Sequence, residues 1–253
     1  METDSSASQP SARLSFWVAL LTAVSAAIAL AVAVTTLPRS GPYCQTGCVV
    51  TYPYTDAGAF VPRDYLWLYP GLLVTALAVV LAGCLHDWVP PRRRTLSRVG
   101  AMFVMIAAGI LVIDYAVQLT VLQPALLAGQ TEGLSAWSSY HPYGLFIALE
   151  NAGYATLNVG FGFLGAAWAS GLVSRAARMA GWVFLGGAAM TAAALVYYPI
   201  RYGSQLDYRF EVAAIAISWL VLIIAPAMLA WAFAHRGVGA PQAGVPAARP
   251  TGR

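Results

Sequence analysis

An all-α, polytopic transmembrane helix bundle is the fold class that the sequence predicts, and three observations predict it. Of 253 residues, 59% are hydrophobic and 9% charged, where an ordinary soluble domain carries about a quarter charged residues. Six apolar stretches reach the roughly 20 residues that a helix needs to cross a ~30 Å hydrocarbon core. They are continuous runs, not the short alternating segments of a β-barrel, and backbone groups in lipid must then find their partners inside a helix.

The first run, 14–37, exceeds the roughly 7 to 15 residues of a signal-peptide core and follows a nearly uncharged segment, so it is expected to remain as a helix. Runs at 65–85, 100–123, 144–169, 179–199 and 210–234 complete six expected spans. Residues 1–13, rich in Ser, and 236–253, rich in Gly, Pro and Ala, have the composition of flexible tails on either side of one transmembrane domain, 14–235.

Arginine placement predicts the orientation, because basic loops stay in the cytoplasm. Arg13 precedes the first run, Arg92, Arg93, Arg94 and Arg98 fill the loop after the second, Arg175 and Arg178 the loop after the fourth, and Arg236, Arg249 and Arg253 the tail. Only Arg39, Arg63, Arg201 and Arg209 fall on the other side. Both termini are therefore expected in the cytoplasm, with the protein multi-pass in the inner (plasma) membrane. All 14 basic residues are arginine, so chemistry through a lysine Schiff base, retinal attachment included, is excluded.

Cys44 and Cys48 lie in the first non-cytoplasmic loop, in GPYCQTGC. An oxidising compartment permits a disulfide there, closing a small loop around Gly47; two free thiols are the alternative. Cys84, His86 and Asp87 sit together at the cytoplasmic end of the second run. Three ligand types at one helix end are a weak metal signal, so no metal and no cofactor is expected.

The functional signal is a concentration of polar side chains in the outer halves of the spans. Asp114 and Gln118 share one helical face, with Tyr115 beside them; Glu150, Tyr154 and Asn158 follow at i, i+4 and i+8, with Asn151 adjacent. Asp64 and Tyr65 open the second span, Arg201 closes the fifth, and Tyr208 and Glu211 open the sixth. Asp114 lies ten residues before Pro124, roughly 15 Å of helix, and Glu150 seven after Tyr143, roughly 10 Å. A carboxylate at such depth costs about 2.5 to 3.5 kcal/mol on insertion scales, so each is expected to face the bundle interior, find a partner or carry a proton. The plain alternative is interhelical glue, worth about 0.6 kcal/mol per contact. For Glu211, in a first helical turn, the alternative is complementing the helix dipole. Trp67, Tyr69, Trp137, Tyr140, Tyr143 and the Tyr197-Tyr198 pair have the distribution of an interfacial aromatic belt.

The inner halves of the third, fourth and sixth runs hold no ionisable side chain. Gly160, Gly162, Gly165, Gly181, Gly186 and Gly187 on the fourth and fifth runs are expected to bring helices into close contact and seal a floor. A cavity open only on the outer side follows from that pattern.

The segments YPYTDAGAFVPRDYLWLYP (52–70), DYAVQLTVLQPALLAGQTEGL (114–134), YHPYGLFIALENAGY (140–154) and LDYRFEVAAIAISW (206–219) resemble an uncharacterised family of bacterial six-span integral membrane proteins. The resemblance implies the six-span topology and no activity. By architecture alone, a small helical bundle with paired acids is also similar to the integral membrane terpene cyclases and to the sterol isomerase and sigma-2 receptor superfamily; no residue is carried over from them.

The leading expectation is a protein that binds an apolar or amphipathic small molecule, a lipid or isoprenoid, with Asp114 and Glu150 as candidate acid-base residues. Asp64, Tyr65, Tyr115, Gln118, Asn151, Tyr154, Asn158, Arg201, Tyr208 and Glu211 are the candidate binding residues. A proton- or ion-coupled transporter using the same carboxyls and a non-enzymatic accessory protein are the competing classes. The expected partners are membrane lipid and a small apolar ligand, with no oligomeric state assigned. Nucleic acid is not expected, since the pI of about 9.1 is explained by the topology arginines.

Overall fold

A computed structural model describes residues 8–36, 38–44, 48–170 and 174–235. The described chain is helical and contains no strand: α1 (Ser8–Thr35), α2 (Leu68–Asp87), α3 (Arg94–Val117), the short α4 (Gln123–Leu127), α5 (Leu145–Trp168), α6 (Arg175–Tyr202) and α7 (Arg209–Ala234). The first helix begins at Ser8, ahead of the apolar run itself. The C-terminal tail expected at 236–253 and residues 1–7 lie outside the described residues.

Five helical stretches are long and apolar enough to cross a membrane: Ala12–Thr35, Arg63–Asp87, Pro91–Leu127, Arg175–Gln205 and Arg209–Ala234. The sixth expected span forms as the 24-residue helix α5 but is not among them. Its sequence explains why, because Glu150, Asn151 and Asn158 interrupt its apolar run.

The six long helices close into a ring. α1 packs on α2 and α7, α2 on α3, α3 on α5, α5 on α6, and α6 on α7, while α5 also reaches across to α7. Two glycine contacts set the closest approaches. A Cβ on Gly160 would lie 2.8 Å from Val104 Cγ2 and 3.0 Å from the Gly100 carbonyl oxygen, so α3 and α5 cross there backbone to backbone. A Cβ on Gly165 would lie 2.7 Å from the Gly181 carbonyl oxygen, and one on Gly181 2.6 Å from the Ala169 nitrogen, which locks α5 to α6. Small residues permit such approaches where no hydrophobic drive exists between helices in lipid. Gly186, expected at the same contact, has open space around it.

The loops between α1 and α2, α4 and α5, and α6 and α7 meet at one end of the ring. The Ser40 hydroxyl donates to the Tyr140 carbonyl at 3.2 Å, Tyr208 donates to that same carbonyl, and the Tyr143 hydroxyl donates to the Ser204 carbonyl at 2.6 Å. Cys44 and Cys48 form a disulfide in the first of these loops, with Cα atoms 5.9 Å apart; Gly47 between them lies outside the described residues. At this end α3 passes through a π-helical turn, Gln118–Leu122, before α4. Pro124 in the first turn of α4 cannot donate to an upstream carbonyl, and a widened turn just before it accommodates that gap.

Candidate functional site

Inside the loop end of the ring lies a cavity of about 510 Å³, within the range of roughly 300 to 1,000 Å³ typical of small-molecule sites. Six segments of chain contribute to it, and α6 does not. Leu30, Ala33 and Val34 of α1 and Val212, Ile215 and Ala216 of α7 line the cavity together with Asp64, Gln118, Glu150 and Glu211. Val34 is 71% exposed and Val212 42% exposed, so the cavity reaches the side of the bundle between α1 and α7.

The acidic wall is built by helical periodicity. Glu150, Tyr154 and Asn158 are all buried on one face of α5, as the spacing predicts. On α7, Glu211, Ile215 and Trp219 also recur at i, i+4 and i+8, and all three line the cavity. These faces bring the carboxyls of Glu150 and Glu211 beside each other in the cavity wall. Two carboxyls so placed can share a hydrogen bond only when one of them carries the proton. Glu211 Oε2 is buried and accepts no hydrogen bond from a donor group. Glu211 thus lines the cavity as well as occupying a first helical turn, where an acid complements the helix dipole.

Asp114 is fully buried one turn behind this pair. Gln118 Nε2 donates to Asp114 Oδ1 at 3.2 Å, while Oδ2 has no partner. Asp114 does not line the cavity, whereas Gln118, its hydrogen-bond donor, does. Among the described residues, no group of His, Cys, Asp and Glu converges in a way that could hold a metal ion.

Beneath the acids a hydrogen-bonded aromatic stack closes the floor. Trp219 Nε1 donates to the Tyr154 hydroxyl at 2.8 Å, and that hydroxyl pairs with the Tyr115 hydroxyl at 2.6 Å. Trp67 packs edge-on against Tyr115, with ring centroids 5.3 Å apart, and lies 5.7 Å from Trp219. Asn158 sits one turn deeper, its Nδ2 donating to Ser218 Oγ at 2.6 Å and to the Tyr154 carbonyl at 2.9 Å. Below Trp219 and Tyr154 lies a void of about 10 Å³, lined by residues such as Val74, Thr75, Ala78, Val104, Leu111 and Leu222.

The rim is held by an ion pair. Arg39 Nε lies 3.2 Å from Asp64 Oδ2, with the two side chains 14% and 5% exposed, and the guanidinium stacks 4.3 Å over the Phe60 ring. Tyr140 also donates to Asp64 Oδ2, at 2.7 Å. Burial, reinforced by the bond to Asp64, raises the Tyr140 phenol far above its ordinary pKa, so it stays a neutral donor. Burial likewise raises Tyr208, whose hydroxyl donates to the Tyr140 carbonyl and contacts Ser40 Oγ at 3.1 Å.

The candidate residues thus divide into layers. Asp64, Gln118, Glu150, Tyr208 and Glu211 line the cavity, and Asp114, Tyr115, Tyr154 and Asn158 support it from behind. Tyr65 is buried just outside it and accepts a 3.3 Å hydrogen bond from Ser139 Oγ. Asn151 is half-buried and off the wall, with Oδ1 lacking a partner. Arg201 is a correction: it is exposed on α6, over the Tyr202 ring at 5.4 Å, and does not enter the cavity. The cation at the site is Arg39, from the loop after α1. Sequence reasoning also missed Trp219, although its spacing of eight from Glu211 was a readable signal, and it placed Trp67 and Tyr140 in an aromatic belt. Tyr140 sits in a loop without periodicity, and no local pattern marks it.

No family model matches the chain, and neither the curated proteins nor the solved structures contain a match to it.

Proposed function

We propose that this chain is an integral protein of the plasma membrane, that α5 spans the membrane with the five more apolar helices, and that both termini face the cytoplasm. The arginine distribution supports this orientation, and so does the disulfide at the loop end, since such bonds persist in oxidising compartments. The polar cavity then opens in the outer leaflet. Its function is to take up an apolar or amphipathic small molecule, a lipid or isoprenoid, laterally between α1 and α7. The molecule's polar end meets the Glu150 and Glu211 pair, which can give up or accept one proton there.

The observation that carries this reading is the mixed lining of the cavity, in which aliphatic side chains of α1 and α7 stand together with the carboxyls of Glu150 and Glu211. A carrier would need a continuous polar route on the far side of Trp219, where the void is about 10 Å³. Glu150 and Glu211 line the cavity and are the carboxyls that would touch a ligand, while Asp114 is buried and off the wall.

The test is native mass spectrometry and lipid analysis of the full chain extracted in mild detergent. The wild type should carry a bound small amphiphile. Ala33→Trp, which fills the apolar end of the cavity, should lose it while keeping its helical circular-dichroism spectrum. A wild type that carries nothing beyond bulk lipid, or an Ala33→Trp variant that retains the same molecule, would overturn the reading. For the acid-base step, Glu150→Gln and Asp114→Asn should insert normally and abolish function in the native host; full function in both would remove it.

A further inference from the structure

The hydrogen-bonding inventory of the cavity restricts what its ligand presents. At the rim several strong donors are engaged. Arg39 is committed to Asp64 and stacked on Phe60, Tyr140 donates to Asp64, and Tyr208 donates to a backbone carbonyl. Gln118 turns its amide NH₂ toward Asp114. At the back of the cavity the free capacity is of the opposite kind. Glu150 and Glu211 together offer four carboxyl oxygens, and Glu211 Oε2, on a residue only 8% exposed, accepts no hydrogen bond from a donor group. Trp67 and Trp219 border the same space with indole rings, surfaces that attract a cation over their faces.

Charge gives the same answer. Arg39 and Asp64 neutralise each other, so Glu150 and Glu211 are the remaining ionisable carboxyls that line the cavity. Such a wall offers a phosphate or carboxylate no free cation, whereas an ammonium brings the positive charge and the N–H donors that carboxyl oxygens accept. The apolar part of the cavity leads from this wall to the side opening between Val34 and Val212, so a chain attached to that donor can run out toward the acyl region.

On the reading given under Proposed function, we propose that the ligand is a single-chain amphiphile whose polar end is a protonated amine, seated between Glu150, Glu211 and the Trp67 and Trp219 rings, with its chain leaving between α1 and α7. Phosphate-bearing lipids are excluded from the acid wall.

The experiment uses the full chain in dodecylmaltoside, titrated with dodecylamine, dodecanol and dodecyl phosphate, with saturable tryptophan fluorescence change as the readout. Dodecylamine should bind at least tenfold more tightly than dodecyl phosphate. Glu211→Gln should reduce dodecylamine affinity at least tenfold and narrow its advantage over dodecanol. Glu150→Gln supplies a second, independent removal of charge should Glu211→Gln fail to fold by circular dichroism. Ala33→Trp should weaken the amine and the alcohol together. If dodecyl phosphate binds as well as dodecylamine, or both charge variants keep the preference, the polar-end assignment is overturned while uptake into the cavity stands. If none of the three probes gives a saturable signal and Ala33→Trp behaves as wild type, the binding reading itself fails.

Discussion

Replacing Arg39 by Met isolates the energetics of the cavity rim. The Asp64 side chain is 5% exposed, and its Oδ2 receives both Arg39 Nε at 3.2 Å and the Tyr140 hydroxyl at 2.7 Å. Breaking a buried ion pair from one side costs about 3 to 5 kcal/mol, because the remaining charge is stranded. Here Tyr140 remains as a donor, and Arg39 is 14% exposed and so partly hydrated, which places Arg39→Met near the lower end, about 3 kcal/mol. Asp64→Asn is milder, about 2 kcal/mol, since the guanidinium keeps its place over Phe60. In the double variant no charge is stranded, so the two losses should fall short of their sum by about 2 kcal/mol, within the range of roughly 0.5 to 3 for groups in one network. Unfolding by graded sodium dodecyl sulfate in mixed micelles, followed by far-ultraviolet circular dichroism, measures all three variants. Losses that add within about 0.5 kcal/mol would mean that Arg39 and Asp64 do not act as a pair, and the inventory that leaves Glu211 as the unmet acceptor would lose its premise.

The other expectations use the same unfolding assay. Gly165→Ala places a methyl 2.7 Å from the Gly181 carbonyl oxygen and should destabilise by about 1 to 3 kcal/mol, whereas Gly186→Ala meets nothing within 4 Å and should stay within about 0.5 kcal/mol of wild type; equal effects would contradict the helix contact described. Tyr154→Phe strands the Trp219 indole N–H and should cost about 1 to 3 kcal/mol, more than Tyr115→Phe, which leaves the 2.8 Å Trp219 bond in place. Reducing the Cys44–Cys48 disulfide should cost about 2 kcal/mol by loop-entropy arithmetic. The freed thiols should react with an impermeant maleimide added outside intact cells, while buried Cys84 stays unlabelled; labelling only after permeabilisation would reverse the orientation.

Helical periodicity made the acid face of α5 legible in the sequence. Glu150, Tyr154 and Asn158 fall on one face by arithmetic, and nothing but burial could follow for that face in a bundle. The same arithmetic applied to α7 reaches Trp219 from Glu211, but an acid in a first turn has a dipole explanation, and that local explanation masked the tertiary one. Arg39 and Tyr140 were not legible at all. They are 101 residues apart in loops and meet only through Asp64, so their partnership depends on how the ring closes. The same closure leaves Arg201 outside: α6 packs between α5 and α7 with its last turn off the cavity, and a charge at a helix end gives no sign of which way it faces.

The long helix that is not among the five most membrane-like stretches is also, with α7, one of the two that contact three other long helices, and these two facts explain each other. α5 carries Glu150, Asn151 and Asn158, and it contacts α3, α6 and α7. An isolated helix with that content would expose a carboxyl and two amides to hydrocarbon, at a cost of several kcal/mol. Surrounded on three sides, with glycines at 160 and 165 drawing α3 and α6 against its backbone, it presents those groups to Ser218, to Glu211 and to the cavity. The apolarity that α5 gives up is therefore the polarity that the site acquires, and the ring of more apolar helices is what makes the exchange affordable. A bundle serving only as a scaffold would have no reason to gather Glu150 and Glu211 at one cavity and leave a Glu211 carboxyl oxygen there without a donor.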